Sequence, residues 1–217
     1  RPIELTLAGN GGGLRIHDLD GDGLLDIATE YSDGSVTYFS TFRNTSTSGN
    51  IAFDAVERWY GLVYSGPLSA VVDVNIDGRM DLIGQHGNGS VAADFWIAEN
   101  ISTPGNIEFG GSRSYFGGAT LDAGAGVSSG DLNNDGTPEL IVVHAFGNQF
   151  QIITNNSTAG VISLGTPFAI AEGVNGNVQV FDFNGDGNLD LAWKKGFTND
   201  DVTVRLNTNT DAVLDAS

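Results

Sequence analysis

Short apolar runs recur along the chain at nearly even intervals, each four to eight residues long and bounded by glycine or polar turns. A first set reads "GLRIH", "AVV", "GVSSG" and "NVQVF". A second reads "LLDIATEY", "MDLIGQH", "PELIVVH" and "LDLAWKK". A third reads "SVTYFSTF", "VAADFWIAE", "FQIIT" and "DVTVRL", and a fourth "IAFDAVERWY", "IEFGGSRSYF" and "ISLGTPFAIA". The runs are too short for helices and rich in β-branched and aromatic residues, so they predict strands. Four strands per ~54 residues, with little helical periodicity, predict an all-β chain in which each repeat is one four-stranded unit. The units run over about 9–60, 61–116, 117–172 and 173–217 plus 1–8, within one domain spanning 1–217. Such a series of small sheets predicts a β-propeller of four four-stranded blades.

The wrap-around step supports that count. The last unit stops at "DAVLDAS", early in its fourth run, and the chain opens with "RPIELTLAG". Joined head to tail, the two ends fill one strand. The expectation is a last blade shared by the N- and C-terminal strands, closed within one chain or, by strand addition, between neighbours.

Between the first and second runs of each unit lies the same nine-residue pattern, D-x-[DN]-x-D-G-x-x-[DE]. It reads "DLDGDGLLD" from residue 18, "DVNIDGRMD" from 73, "DLNNDGTPE" from 131 and "DFNGDGNLD" from 182. Carboxylates ~5 Å apart repel by roughly 3 kcal/mol per pair at an effective dielectric of ~20. A divalent cation would offset that repulsion. Oxygen-only donors on a flexible loop suit Ca²⁺, and the glycine at position 6 permits the sharp turn. Side chains at positions 1, 3, 5 and 9 and the carbonyl at position 7 are the candidate ligands. They are Asp18, Asp20, Asp22, Leu24 and Asp26 in the first loop, and Asp73, Asn75, Asp77, Arg79 and Asp81 in the second. The third has Asp131, Asn133, Asp135, Thr137 and Glu139, and the fourth Asp182, Asn184, Asp186, Asn188 and Asp190. About four Ca²⁺ are expected, one per repeat.

These motifs with their flanking strands resemble the FG-GAP or VCBS repeats of integrin α-subunit propellers and many secreted bacterial proteins, over essentially the whole chain. The resemblance implies a calcium-binding loop between the first and second strands of each blade. It also implies an extracellular adhesion or binding module for glycans or proteins. The family's usual ring has seven blades, against four repeats here. Glu139 is one methylene longer than the usual Asp, and Ile76 replaces the small or polar residue common at position 4.

Composition narrows the function classes. Net charge is −18, and thirteen of the 27 acids belong to the four motifs. That balance argues against nucleic acid, which needs basic patches, and no apolar run approaches the ~18 residues of a membrane span. The chain has no cysteine, which removes disulfides and thiol chemistry. It begins at Arg1 without a signal-like segment, as a mature form or an excised piece would.

Three function classes follow. The first is a non-enzymatic extracellular binding module, with Trp59, Tyr60, Trp96, Tyr115, Phe116 and Trp193 as candidate sugar-stacking aromatics, most of which are expected to fill space between blades. The second is a structural subunit of a filament or ring, a homo-oligomer built by terminal strand sharing. The third is the propeller scaffold of a polysaccharide-degrading enzyme. The three histidines are His17, His86 and His144; His86 and His144, with their equivalents Tyr31 and Lys195, would ring one surface and carry proton transfer. No G-x-S-x-G or H-E-x-x-H pattern is present, and no enzyme activity is expected. N-x-[ST] sequons fall at Asn44, Asn88, Asn100, Asn155 and Asn156. They are read as polar turn composition, or as glycan acceptors in a secreted chain.

Overall fold

The computed structural model describes residues 3–7, 10–32, 37–59, 68–85, 95–115, 124–144, 149–196 and 201–208. These form fifteen strands in four separate antiparallel sheets. The first blade comprises β1 (Asn10–His17), β2 (Asp26–Ser32), β3 (Thr37–Phe42) and β4 (Glu57–Trp59). The second comprises β5 (Leu68–Val72), β6 (Asp81–Gln85), β7 (Phe95–Asn100) and β8 (Phe109–Tyr115), and the third β9 (Gly124–Gly130), β10 (Glu139–His144), β11 (Gln149–Asn155) and β12 (Leu164–Ile170). The fourth has β13 (Gln179–Phe181), β14 (Asp190–Lys194) and β15 (Val202–Arg205). Strand order follows chain order in every sheet, the up-and-down meander of a propeller blade.

The strand shared between the chain ends is not among the described strands. Residues 3–7 lie in no strand, and 209–217 lie outside the described residues.

The second strand of each blade is buried on both faces, which explains why it reads as a continuous apolar run rather than an alternation. In β10, Leu140 packs back against the second blade in a cluster with Val74, Ile83 and Ile97. Its neighbour Ile141 packs forward on Val174, Val178 and Leu191 of the fourth. The first and second blades meet through Leu19, Ala28 and Phe39 against Leu82, Trp96 and Phe109. Each fully buried residue of this size contributes roughly 1.5–3 kcal/mol, so the seams between blades are the core of the molecule.

Several expected ligand-stacking aromatics belong to these seams. Trp96 is fully buried, edge-on to Phe39 with ring centroids 4.9 Å apart. Gly84, on the paired strand, leaves the space its ring fills: a Cβ there would sit 1.9 Å from the Trp96 ring. Trp193 is buried against Phe150, and half-buried Trp59 stands edge-on to Phe109. Tyr115 stacks on Phe95. None of these four is a free stacking platform. Tyr60 and Phe116 lie outside the described residues.

Candidate calcium loops

All four acidic loops join the first and second strands of their blades and share one hydrogen-bond scheme. The position-1 carboxylate accepts the N–H of the position-6 glycine at 2.8–2.9 Å, as Asp18 does from Gly23 and Asp73 from Gly78. The position-3 side-chain oxygen accepts the N–H of position 5, and the position-5 carboxylate accepts that of position 7. Each acid thus folds the backbone around itself, an Asx-type arrangement.

Two positions carry left-handed backbone. Position 6 is glycine in every loop, with φ between 88° and 90°. Position 4 is also left-handed in every loop, as Gly21, Ile76, Asn134 and Gly185, with φ of 75°, 47°, 59° and 78°. Ile76, the sequence's departure from a small or polar residue, is therefore a β-branched side chain held where sterics disfavour it.

The first loop brings three acids together. One carboxylate oxygen from each of Asp18, Asp20 and Asp22 lies within 4.8 Å of the others. Among the described residues this is the one such group of three His, Cys, Asp or Glu side chains; the other loops carry Asn at position 3. A guanidinium offsets part of the repulsion. Arg43 Nε donates to Asp20 at 2.8 Å, and its terminal nitrogens reach Asp22 at 3.3 Å and Asp54 at 3.0 Å. These hydrogen bonds, first that to Asp20, hold the Arg43 pKa above its ordinary value. In the second loop Arg79 donates to Asp77 at 2.6 Å. In the third and fourth, the Asn133 and Asn184 amides donate to Asp135 and Asp186 at 2.9 Å. The outer oxygen of every position-5 acid thus already faces a donor.

Position 9, a candidate ligand like the rest, has a framework role as well. Asp26 is fully buried; one oxygen accepts the Leu19 N–H and the other the Asn44 N–H. Asp81 does the same with Val74 and Asn100, Asp190 with Phe183 and Asn207, and Glu139 with Leu132 at 2.9 Å and Asn155 at 3.4 Å. The position-9 acid therefore ties the loop to the end of the third strand. Burial, only partly countered by these hydrogen bonds, pushes Asp81 up to about 7 and raises Asp26 and Glu139. Hydrogen bonds from Asn188 and Asn184 hold Asp186 below its ordinary value. For Asp135 burial pulls upward, but the Thr137 and Asn133 hydrogen bonds outweigh it and the pKa is lowered.

A set of residues missed in the sequence completes the loops. Asn44, Asn100, Asn155 and Asn207 end the third run of each blade. The Asn100 amide donates to the carbonyls of Leu19 and Met80. Asn155 donates to Val74 and Pro138, and Asn207 to Leu132 and Leu189. Each of these three pins its own loop and the position-2 carbonyl of the preceding blade's loop. The N-x-S signal has a structural reading as well: the Asn oxygen accepts the serine N–H, and the serine hydroxyl closes the following turn. Asn100 and Asn155 are buried with both amide hydrogens engaged, in keeping with the turn reading of these sequons. Asn156 is exposed, and Asn88 lies outside the described residues.

Of the histidine set, His144 is 1% exposed and, among the described residues, neither of its ring nitrogens has a hydrogen-bond partner, while its equivalent Tyr31 is buried beneath Arg58. Lys195 is exposed and His17 half-buried, its pKa lowered by burial and by Arg15. His86 lies outside the described residues. No described helix is long and apolar enough to cross a membrane.

Comparison with known proteins agrees with the motif reading. Residues 131–193 match the model of an FG-GAP-like repeat, a span that runs from the third loop through the fourth. The resemblance is thereby borne out over that span, which holds the third and fourth motifs. No curated protein matches the chain. Among solved structures, the Photorhabdus luminescens Tc holotoxin pore aligns with 91% of this chain at 15% identity and a TM-score of 0.31. The chain spans 11% of the length of that protein chain.

Proposed function

We propose that this chain, a four-bladed β-propeller carrying FG-GAP-like repeats, is a calcium-stabilised extracellular module that binds glycans or proteins without catalysing a reaction. The observation that carries the reading is the convergence of Asp18, Asp20 and Asp22 within 4.8 Å on a loop whose backbone their own hydrogen bonds preform. The donor set consists of oxygens, the chemistry hard cations take. When bound, Ca²⁺ would neutralise the clustered carboxylates and cross-link the loop. Asp18, Asp20 and Asp22 would hold it, with the Leu24 carbonyl completing the set. Asp73, Asn75 and Asp77, Asp131, Asn133 and Asp135, and Asp182, Asn184 and Asp186 would do the same in the other loops. The position-9 acids keep lone pairs beyond those given to backbone N–H groups, so they can orient the loop and still approach the ion.

The loops are scaffold rather than ligand site in this reading. Burial of the tryptophans and of His144 favours a module that displays loops over one that performs proton transfer. Calorimetric titration of the metal-free protein with Ca²⁺ tests the proposal. About four sites are expected, with Mg²⁺ much weaker. Absence of Ca²⁺ binding would overturn it.

A further inference from the structure

One unbroken series of hydrogen bonds joins the four loops. Asp26 accepts the N–H of Leu19, and the Leu19 carbonyl accepts an Asn100 amide hydrogen. The Asn100 backbone N–H donates to Asp81, whose other oxygen accepts the Val74 N–H. The Val74 carbonyl accepts from the Asn155 amide, and the Asn155 backbone N–H donates to Glu139 at 3.4 Å. Glu139 accepts the Leu132 N–H, the Leu132 carbonyl accepts from the Asn207 amide, and the Asn207 backbone N–H donates to Asp190. From the first loop to the fourth, the series alternates between a position-9 acid, a position-2 peptide and the asparagine of the next blade.

Its members sit among the candidate ligands. Leu19 lies between Asp18 and Asp20, and Val74 between Asp73 and Asn75. The second amide hydrogen of each asparagine holds position 8 of its own loop, between positions 7 and 9. Further bonds cross the same seams. The Gly105 N–H of the second blade donates to Asp20 at 2.9 Å, and the Gly160 N–H of the third donates to the Asn75 carbonyl at 3.0 Å. The Asn134 amide of the third loop donates to Asn188 of the fourth at 2.8 Å. The position-9 acids and the three asparagines are at most 2% exposed. Water cannot replace a bond lost among them, so a displacement in one loop is passed to the next.

We infer that the loops bind Ca²⁺ cooperatively, an ion in one loop raising the affinity of its neighbours through the asparagine that joins them. This coupling presupposes the calcium reading of the loops and concerns how the sites act together. Ordering a metal-free loop around an ion costs conformational entropy. An ion that fixes positions 1 to 3 of one loop also fixes the carbonyl that anchors the next blade's asparagine. That asparagine in turn orders positions 8 and 9 of its own loop, so the neighbouring loop binds with part of its ordering already made. Direct repulsion between the ions acts in the opposite sense, and the sign of the coupling separates the two effects.

The test follows a Ca²⁺ titration of the metal-free 217-residue chain by NMR at the backbone amides of Gly23, Gly78, Gly136 and Gly187. Each of these amides donates to the position-1 acid of its own loop and reports that loop alone. Every curve should be steeper than a one-site isotherm. Asp135→Ala, which disables the third loop, should raise the Ca²⁺ concentration that half-fills the second and fourth loops by about fivefold or more. Asn155→Ala removes the bonds to Val74 and Pro138. In that background the effect of Asp135→Ala on Gly78 should fall to about twofold or less, while its effect on Gly187, reached through Asn207, persists. A merely structural Asn155 would leave the effect on Gly78 intact and overturn the proposal. One-site curves that Asp135→Ala does not move would overturn the coupling and leave calcium binding standing. Amides that do not respond to Ca²⁺ at all would overturn both. If Asn155→Ala does not fold, the curves of the parent and of Asp135→Ala decide.

Discussion

The side-chain amide of Asn100 donates to the backbone carbonyl of Leu19, 81 residues earlier, at 2.8 Å. One bond thereby joins the second blade to the first blade's acidic loop, and the other amide hydrogen holds Met80 in its own loop. Removing the side chain leaves two carbonyls and the Ser102 N–H without their partner, at a cost of roughly 1–3 kcal/mol per buried group left unsatisfied. Asn100→Ala should lower the melting temperature by about 5 °C or more. Asn44→Ala loses the Leu25 and Ser46 bonds but, among the described residues, none to a preceding blade, and should cost less. Equal losses measured by calorimetry would contradict the inter-blade role.

Ile76 makes the opposite prediction. A left-handed backbone costs an L-residue roughly 1–2 kcal/mol, and asparagine tolerates it better. Ile76→Asn copies the third loop, where Asn134 sits at φ 59°, and should raise stability by about 1 kcal/mol. A lower melting temperature would contradict the strain argument, since Ile76 is exposed and has little packing to lose.

Position 4 marks a boundary of what is legible in sequence. Motif spacing located all four loops, and the short apolar runs located the sheets, because both signals are local. The β9 strand emerges from "GVSSG", the weakest run, because its backbone pairs with β10 whatever its side chains are. What was not legible is long-range. Asn100 reads as a sequon until its partner 81 residues away is seen. Trp96 reads as a candidate platform until Gly84 opens a slot for it. The head-to-tail arithmetic of the chain ends counts residues, but whether the fourth blade packs on the first depends on how the sheets are arranged in space.

Arg43 sets the strength of the first loop. Its guanidinium lies 2.8 Å from Asp20 and 3.3 Å from Asp22, where it opposes an incoming cation. Arg43→Gln should tighten Ca²⁺ binding at that loop by about tenfold, equivalent to ~1.4 kcal/mol. Asp22→Ala should instead remove one site from the calorimetric stoichiometry. A full complement of sites in Asp22→Ala would rule out its role as a ligand.

The buried position-9 acids predict a pH dependence for the metal-free protein. Burial raises Asp81 from an ordinary 3.8 to about 7, and Asp26 and Glu139 shift the same way. Between roughly pH 4 and 7 the folded chain keeps a proton that the unfolded chain has released, so stability falls as pH rises through that window. Without metal the protein should melt about 5 °C or more higher at pH 5 than at pH 7.5. With Ca²⁺ the trend should flatten or reverse, because the metal competes with protons for the loop carboxylates. A metal-free melting temperature that rises from pH 5 to 7.5 would contradict the burial argument.

Thermal melting with and without chelator tests the calcium account most directly. A site filled at ~100-fold excess over its dissociation constant adds ~2.7 kcal/mol, and four such loops in one cooperative unit would add an amount comparable to the ~5–15 kcal/mol of a typical domain. With metal removal verified by elemental analysis, the melting temperature should fall by tens of degrees and recover on adding Ca²⁺ but not Mg²⁺. An unchanged melt in the verified metal-free protein would contradict the account.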